Sequence, residues 1–259
     1  MPTMIRDTDL ELLSHIHELR FCTIDHLMML TGRHRQALNL RLQRLIAEKY
    51  VYRIKFDNPN HKHIYSLGSQ GFRHLAFHGV IGLGDVPVRL RTAELKPMFL
   101  DHTLMVAEIH TALILASRDG SVQLTDWREG KELYESVTFY EDGKKKRLPV
   151  CPDAFFQIQK GNSRFAYALE ADRGTTTRRT FDDKINAYWR FLEQDRQIKA
   201  YGVSWFRVLT VTLTEARAKG LTDLATQSVP PRFKKYFPFV PIAAISGKNG
   251  HYIFESLKV

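Results

Sequence analysis

The chain has 259 residues, 44% of them hydrophobic, a globular rather than disordered composition with room for one large domain or two smaller ones. Its formal net charge of +10 favours a polyanionic partner, with nucleic acid ahead of an anionic membrane surface. Cys22 and Cys151 lie too far apart for a disulfide framework or a metal-spaced pair, and the longest apolar stretch, 104–116, is broken by Glu108 and His110 and is too short and polar to span a bilayer. The N-terminal residues hold no apolar signal-peptide core, so the chain reads as cytoplasmic with no membrane partner.

In chain order, the spacing of Leu10, Leu12, Leu13 and Ile16 predicts a helix over 7–19. Thr23 caps a second helix over 24–30, which Thr31 and Gly32 end. A third helix runs over 33–49, with Leu38, Leu42, Leu45 and Ile46 on one face and Arg35, Gln36, Asn39 and Gln43 on another. Two β-like stretches, 50–56 and 63–67, flank the turn Asp57-Asn-Pro-Asn60, and a short helix follows over 70–78. Three helices and a hairpin is the order of a winged helix-turn-helix. Arg, Gln and Asn are the side chains that make bidentate contacts to guanine and adenine in the major groove. Arg33, Arg53, Lys55 and Lys62 suit phosphates along the same surface. An ordinary helical bundle with a solvated polar face is the competing interpretation. The first domain is drawn at 1–79, with a Gly- and Pro-bearing linker at 80–98.

The second domain, 99–259, opens with an apolar helix over 101–117 whose Glu108 needs a partner or a path to solvent. β-like stretches at 122–127 and 137–140 follow, then a hairpin turn at Glu141-Asp-Gly-Lys144. The run Lys144, Lys145, Lys146, Arg147 reads as a solvated loop beside the next strand, open to phosphate. Gly161-Asn162 is a two-residue hairpin signal that pairs Lys160 with Ser163. Counting outward, Asp153 stands opposite Glu170, with Asp172 on the same face. Facing carboxylates destabilise a sheet unless a cation lies between them, so a divalent metal, a Lys or Arg, or a different register is implied. A helix capped at Thr180 follows and places Lys184 at the border of its buried face, near the sheet edge or snorkelling into water. A strand over 205–213, a helix over 215–225 and a last strand near 251–254 complete a mixed α/β domain.

Pro152-Asp153, Glu170-Ala-Asp172 and a Lys on the next helix resemble the PD-(D/E)xK nuclease superfamily. That resemblance implies Mg²⁺ or Mn²⁺ held by Asp153 and Glu170, with Glu108 or Asp172 as a further acid and Lys184 as electrostatic aid. Asp172 stands where that superfamily carries its Lys. Across most of its length the chain is also similar to the replication-relaxation family of plasmid and mobile-element proteins, most specifically in Glu170-Ala-Asp-Arg-Gly-Thr175 and Lys184-Ile-Asn-Ala-Tyr188. This implies a double-stranded DNA-binding protein acting in replication or its transcriptional control. A metal-dependent endonuclease is the alternative. A third option is an adaptor for a replication or regulatory protein, docking through the aromatic and proline-rich stretch 230–241. A homodimer is compatible with such a module, though no heptad demands one.

Overall fold

The computed structural model describes residues 5–54, 62–85, 97–120 and 122–245, in two units, Met1–Thr111 and Ala112–Val259. In the first, α1 (Asp7–Glu18) buries Leu12, Leu13 and Ile16. A two-residue strand, β1 (Cys22–Thr23), leads into α2 (Ile24–Thr31), whose end is set by Gly32 in the left-handed region at φ 68°. The N-terminus of α2 is a capping box in which the Thr23 amide donates to Nδ1 of His26 at 3.2 Å. Then come α3 (Arg35–Ala47), β2 (Val51–Ile54), β3 (Ile64–Leu67) and α4 (Ser69–Phe77). The strands form an antiparallel sheet in the order β1-β3-β2, and Leu38, Leu42 and Leu45 turn α3 toward the buried side. Gly68 sits where a Cβ would lie 2.2 Å from the Lys49 carbonyl oxygen, so only glycine lets α4 begin there.

Across this unit Arg41 of α3 holds Asp9 of α1 through both carboxylate oxygens, with Nε to Oδ1 at 2.6 Å. Burial pushes the Asp9 carboxyl up, but the Arg41 hydrogen bond and the Arg6 amide outweigh it and leave its pKa below the usual range.

The next helix, α5 (Pro97–Arg118), is longer than the sequence predicts, and the boundary between the two units falls inside it, after Thr111. In its first half Glu108 accepts a hydrogen bond from Nε2 of His26 at 2.8 Å, within the first unit. By length and composition α5 could cross a membrane. Yet 56% of its apolar window is buried in protein, as in a core helix.

The second unit contains β4 (Gln123–Arg128), β5 (Glu135–Glu141), β6 (Lys144–Val150), β7 (Ala154–Lys160) and β8 (Ser163–Asp172). These are followed by α6 (Arg178–Glu193), α7 (Arg196–Tyr201), β9 (Arg207–Thr212), α8 (Glu215–Ser228) and β10 (Phe239–Pro241). One mixed sheet runs β10-β9-β8-β7-β4, antiparallel from β4 to β8 and parallel from β8 to β10. Aromatic rings fill its core: Phe155 stacks on Tyr201 at 4.8 Å between centroids, with Phe206 and Phe191 alongside. The architecture is the α/β class that the element order implies.

Several local expectations change. Lys144–Arg147 is not a loop: it is the first half of β6, paired with β5 in a separate hairpin packed on α6. The turn is Asp142-Gly143, both at positive φ, as a type I′ hairpin requires. The cap of α6 is Thr177, whose hydroxyl accepts from the Thr180 amide, three residues before the expected position. Phe237 is buried and Phe239 packs on Phe181, so these two rings of the 230–241 stretch belong to the core and do not form a docking patch. The strand expected near 251–254 lies outside the described residues.

Candidate functional site

The β7–β8 hairpin places the acids. Lys160 pairs with Ser163 across Gly161-Asn162, and the ladder runs out to Ala154 opposite Leu169. Gly161 has φ 57°, the left-handed value that a glycine-first two-residue turn needs. Asp153 lies just beyond the last paired residue, Ala154, and shares its partner Leu169. There the Asp153 amide donates to the Leu169 carbonyl at 2.9 Å, and its Oδ2 accepts from the Ala171 amide at 2.8 Å.

Glu170 is 3% exposed and is bound on both oxygens. The Tyr188 hydroxyl donates to Oε1 at 2.6 Å, and the Lys184 ammonium donates to Oε2 at 2.5 Å. Both partners come from α6, where a spacing of four residues puts them on one face. Burial, joined by the Asp153 charge, pushes the Glu170 carboxyl above its ordinary pKa against the pull of Lys184. Burial opposes the charge on Lys184, but Glu170 outweighs it and raises the ammonium pKa, so the cation persists. Burial first, then the Glu170 charge, drives the Tyr188 phenol far above its usual value, so it stays protonated and donates. The sequence singled out Lys184 as a site residue and Tyr188 only as the end of the motif Lys184-Ile-Asn-Ala-Tyr188. The Lys-x-x-x-Tyr spacing was the available signal.

Asp172 is also committed. Arg217 of α8 binds it with Nε to Oδ2 at 2.7 Å and Nη2 to Oδ1 at 3.4 Å, and its Nη2 also donates to the Thr176 carbonyl at 2.9 Å. No local pattern pointed to Arg217, because its pairing with Asp172 spans 45 residues.

Glu108, expected as a further metal ligand, is held by His26 in the first unit. Among the described residues no group of three or more His, Cys, Asp or Glu side chains is placed to hold a metal ion. The arrangement of Glu170 and Asp172 does not fit a divalent ion unless Lys184, Tyr188 or Arg217 lets go. What the centre presents is a buried carboxylate paired with an ammonium and hydrogen-bonded by a phenol, at the end of a hairpin whose other acid caps a backbone amide.

The second set of expected residues lies on the first unit. Gln36, Asn39 and Gln43 are exposed on α3, opposite Leu38, Leu42 and Leu45. Arg35 is exposed at the start of the helix and bonds Asp25, which Lys62 also reaches at 2.8 Å. Such surface pairs contribute at most about 1 kcal/mol, so a phosphate can displace the carboxylate. Arg33 lies before the helix and reaches back to α1, donating to the Thr8 carbonyl at 2.8 Å, which makes it a brace between elements. Arg53 sits on β2 opposite Tyr65, half-buried, and its buried Nε has no hydrogen-bond partner among the described residues. Lys55 lies outside the described residues. On β6, Lys144, Lys145, Lys146 and Arg147 are all exposed. Lys146 bonds Glu141, and Arg147 Nε donates to Ser136 at 2.9 Å.

The fold and these sites define a basic two-unit α/β protein, with an exposed polar helix in one unit and a buried acid–lysine–tyrosine centre in the other. The chain belongs to the replication-relaxation family, whose model matches residues 13–205. Membership suggests a role in plasmid or mobile-element replication. The matched span contains α3, Asp153, Glu170, Lys184 and Tyr188 and stops before Arg217. No curated protein and no solved structure matches the chain.

Proposed function

We propose that the protein binds double-stranded DNA of a plasmid or mobile element, in the cytoplasm, and acts in replication or its transcriptional control. In this reading the first unit is a winged helix-turn-helix and α3 its recognition helix. The observation that carries it is the exposed row Gln36, Asn39 and Gln43 on the side of α3 away from the core, in a chain of net charge +10. Amide side chains at this spacing suit adenine edges in the major groove. Arg35, Lys62 and Arg53 flank the row as backbone contacts, and Lys144–Arg147 adds a basic strand on the second unit. The test is a gel shift comparing the wild type with a Gln36→Ala, Asn39→Ala, Gln43→Ala variant. Loss of sequence preference with folding intact supports the proposal, and unchanged preference removes α3 from it.

A second reading is supported by the convergence of Glu170 and Lys184, with Asp153 close by: a nuclease-type centre that nicks or cleaves DNA. Because Glu170 is closed by Lys184 and Tyr188, activity would require that closure to open. Incubating supercoiled plasmid with the protein and Mg²⁺ or Mn²⁺ separates the two readings. Nicking that disappears in Asp153→Ala supports the endonuclease; binding without nicking leaves the first reading alone.

A further inference from the structure

Leu40 is a large apolar side chain that the fold does not use. It is 58% exposed in the middle of α3, a helix whose core contacts are Leu38, Leu42 and Leu45. At about 100° per residue, Leu40 lies on the outward arc with Gln36, Gln43 and Ala47 to one side and Arg44 and Ala37 to the other. Its neighbours on that arc, Gln36, Asn39, Gln43 and Arg44, are polar and exposed. The arc is therefore one isobutyl group set among polar side chains and two exposed alanines, Ala37 and Ala47.

An apolar group in that setting does not suit a phosphate, and it is too small to be a protein-docking face. It does match the one apolar feature on the edge of a base pair in the major groove, the C5 methyl of thymine. We propose that Leu40 is a specificity-determining residue that reads a thymine methyl, at a position flanked by base pairs that the amides contact. The inference rests on the proposal that α3 enters the major groove.

The experiment begins by selecting a preferred duplex for the full chain from random sequence. Each thymine of that duplex is then replaced singly by uracil, which removes only the methyl group. At one position the wild type should lose about fourfold in affinity, the value of one buried carbon of this size. Leu40→Ala should bind the thymine and uracil probes equally there, while Leu40→Met keeps the discrimination. Because Leu40 is exposed, both variants should melt with the wild type, and a circular dichroism melt checks this. Uracil tolerance at every position in the wild type overturns the inference while leaving DNA binding standing. Persistence of the methyl effect in Leu40→Ala overturns it as well. Failure of the wild type to bind any duplex overturns the underlying proposal and the inference together.

Discussion

Lys184 places its ammonium 2.5 Å from one oxygen of Glu170, a carboxylate buried in the β8 face of the second unit. The pair answers the like-charge problem set by Asp153 across the hairpin, and it does so with a cation from the same chain. Removing one partner of such a pair leaves the other charge buried and uncompensated, which typically costs about 3–5 kcal/mol when both are buried. Lys184 keeps part of its side chain in water, so the lower end applies: Lys184→Met should cost about 2–3 kcal/mol in urea unfolding. Adding Glu170→Gln to that variant should restore part of the loss, because the buried charge is gone. Additive losses in the double variant would show that the ion pair does not carry the stability.

Tyr188→Phe isolates the other bond to Glu170. It removes the donor at 2.6 Å and changes little else in a fully buried ring. A loss of about 1.5–3 kcal/mol is expected for a hydrogen bond to a charged acceptor. Stability equal to wild type would mean that Lys184 alone satisfies Glu170.

His110 gives the first unit a pH dependence. Burial lowers its pKa to about 3, only partly opposed by the Glu18 carboxylate, and His15 adds to the lowering. The unfolded chain takes up this proton near the ordinary value of 6.5, while the folded chain does not until about pH 3. Unfolding therefore binds a proton between those limits. The contribution is fully present above pH 6.5 and is lost progressively as pH falls toward 3, on the order of 5 kcal/mol in all. Chemical unfolding measured from pH 7.5 to 4 should show this decline, and His110→Asn should flatten it. An equal slope in the variant assigns the decline to other groups.

On the proposed interface, single changes should separate into two kinds. Asn39→Ala should cost about 1–3 kcal/mol on a preferred site and relax preference at one base pair. Lys145→Ala should weaken all duplexes alike and reduce the salt slope by about 1. If both variants lose the same amount on every sequence, α3 contacts only backbone.

How much of this was readable in the sequence follows the range of the interactions. The register from Lys160–Ser163 out to Ala154–Leu169 came from Gly161-Asn162, because a two-residue turn fixes the pairs along its hairpin. The helix caps at Thr23 and Gly32 were similarly local. The partner of Glu108 was hidden because His26 lies 82 residues away. The basic run at 144–147 looked like a loop since Lys and Arg are poor strand formers, and only pairing with β5 makes it a strand. Phe239 looked exposed in a proline-rich stretch because its place beside β9 is a parallel, non-local pairing that composition cannot show. Arg217 escaped for the same reason.

The most direct measurement of the central claim is duplex binding by the purified full chain across a salt series. Several Lys and Arg contacts to phosphate predict a log–log fall with a slope of about −0.9 per contact, steep enough to be plain between 50 and 200 mM salt, roughly the range over which such proteins lose most of their affinity. Affinity independent of salt, or no binding to any duplex, would contradict the account.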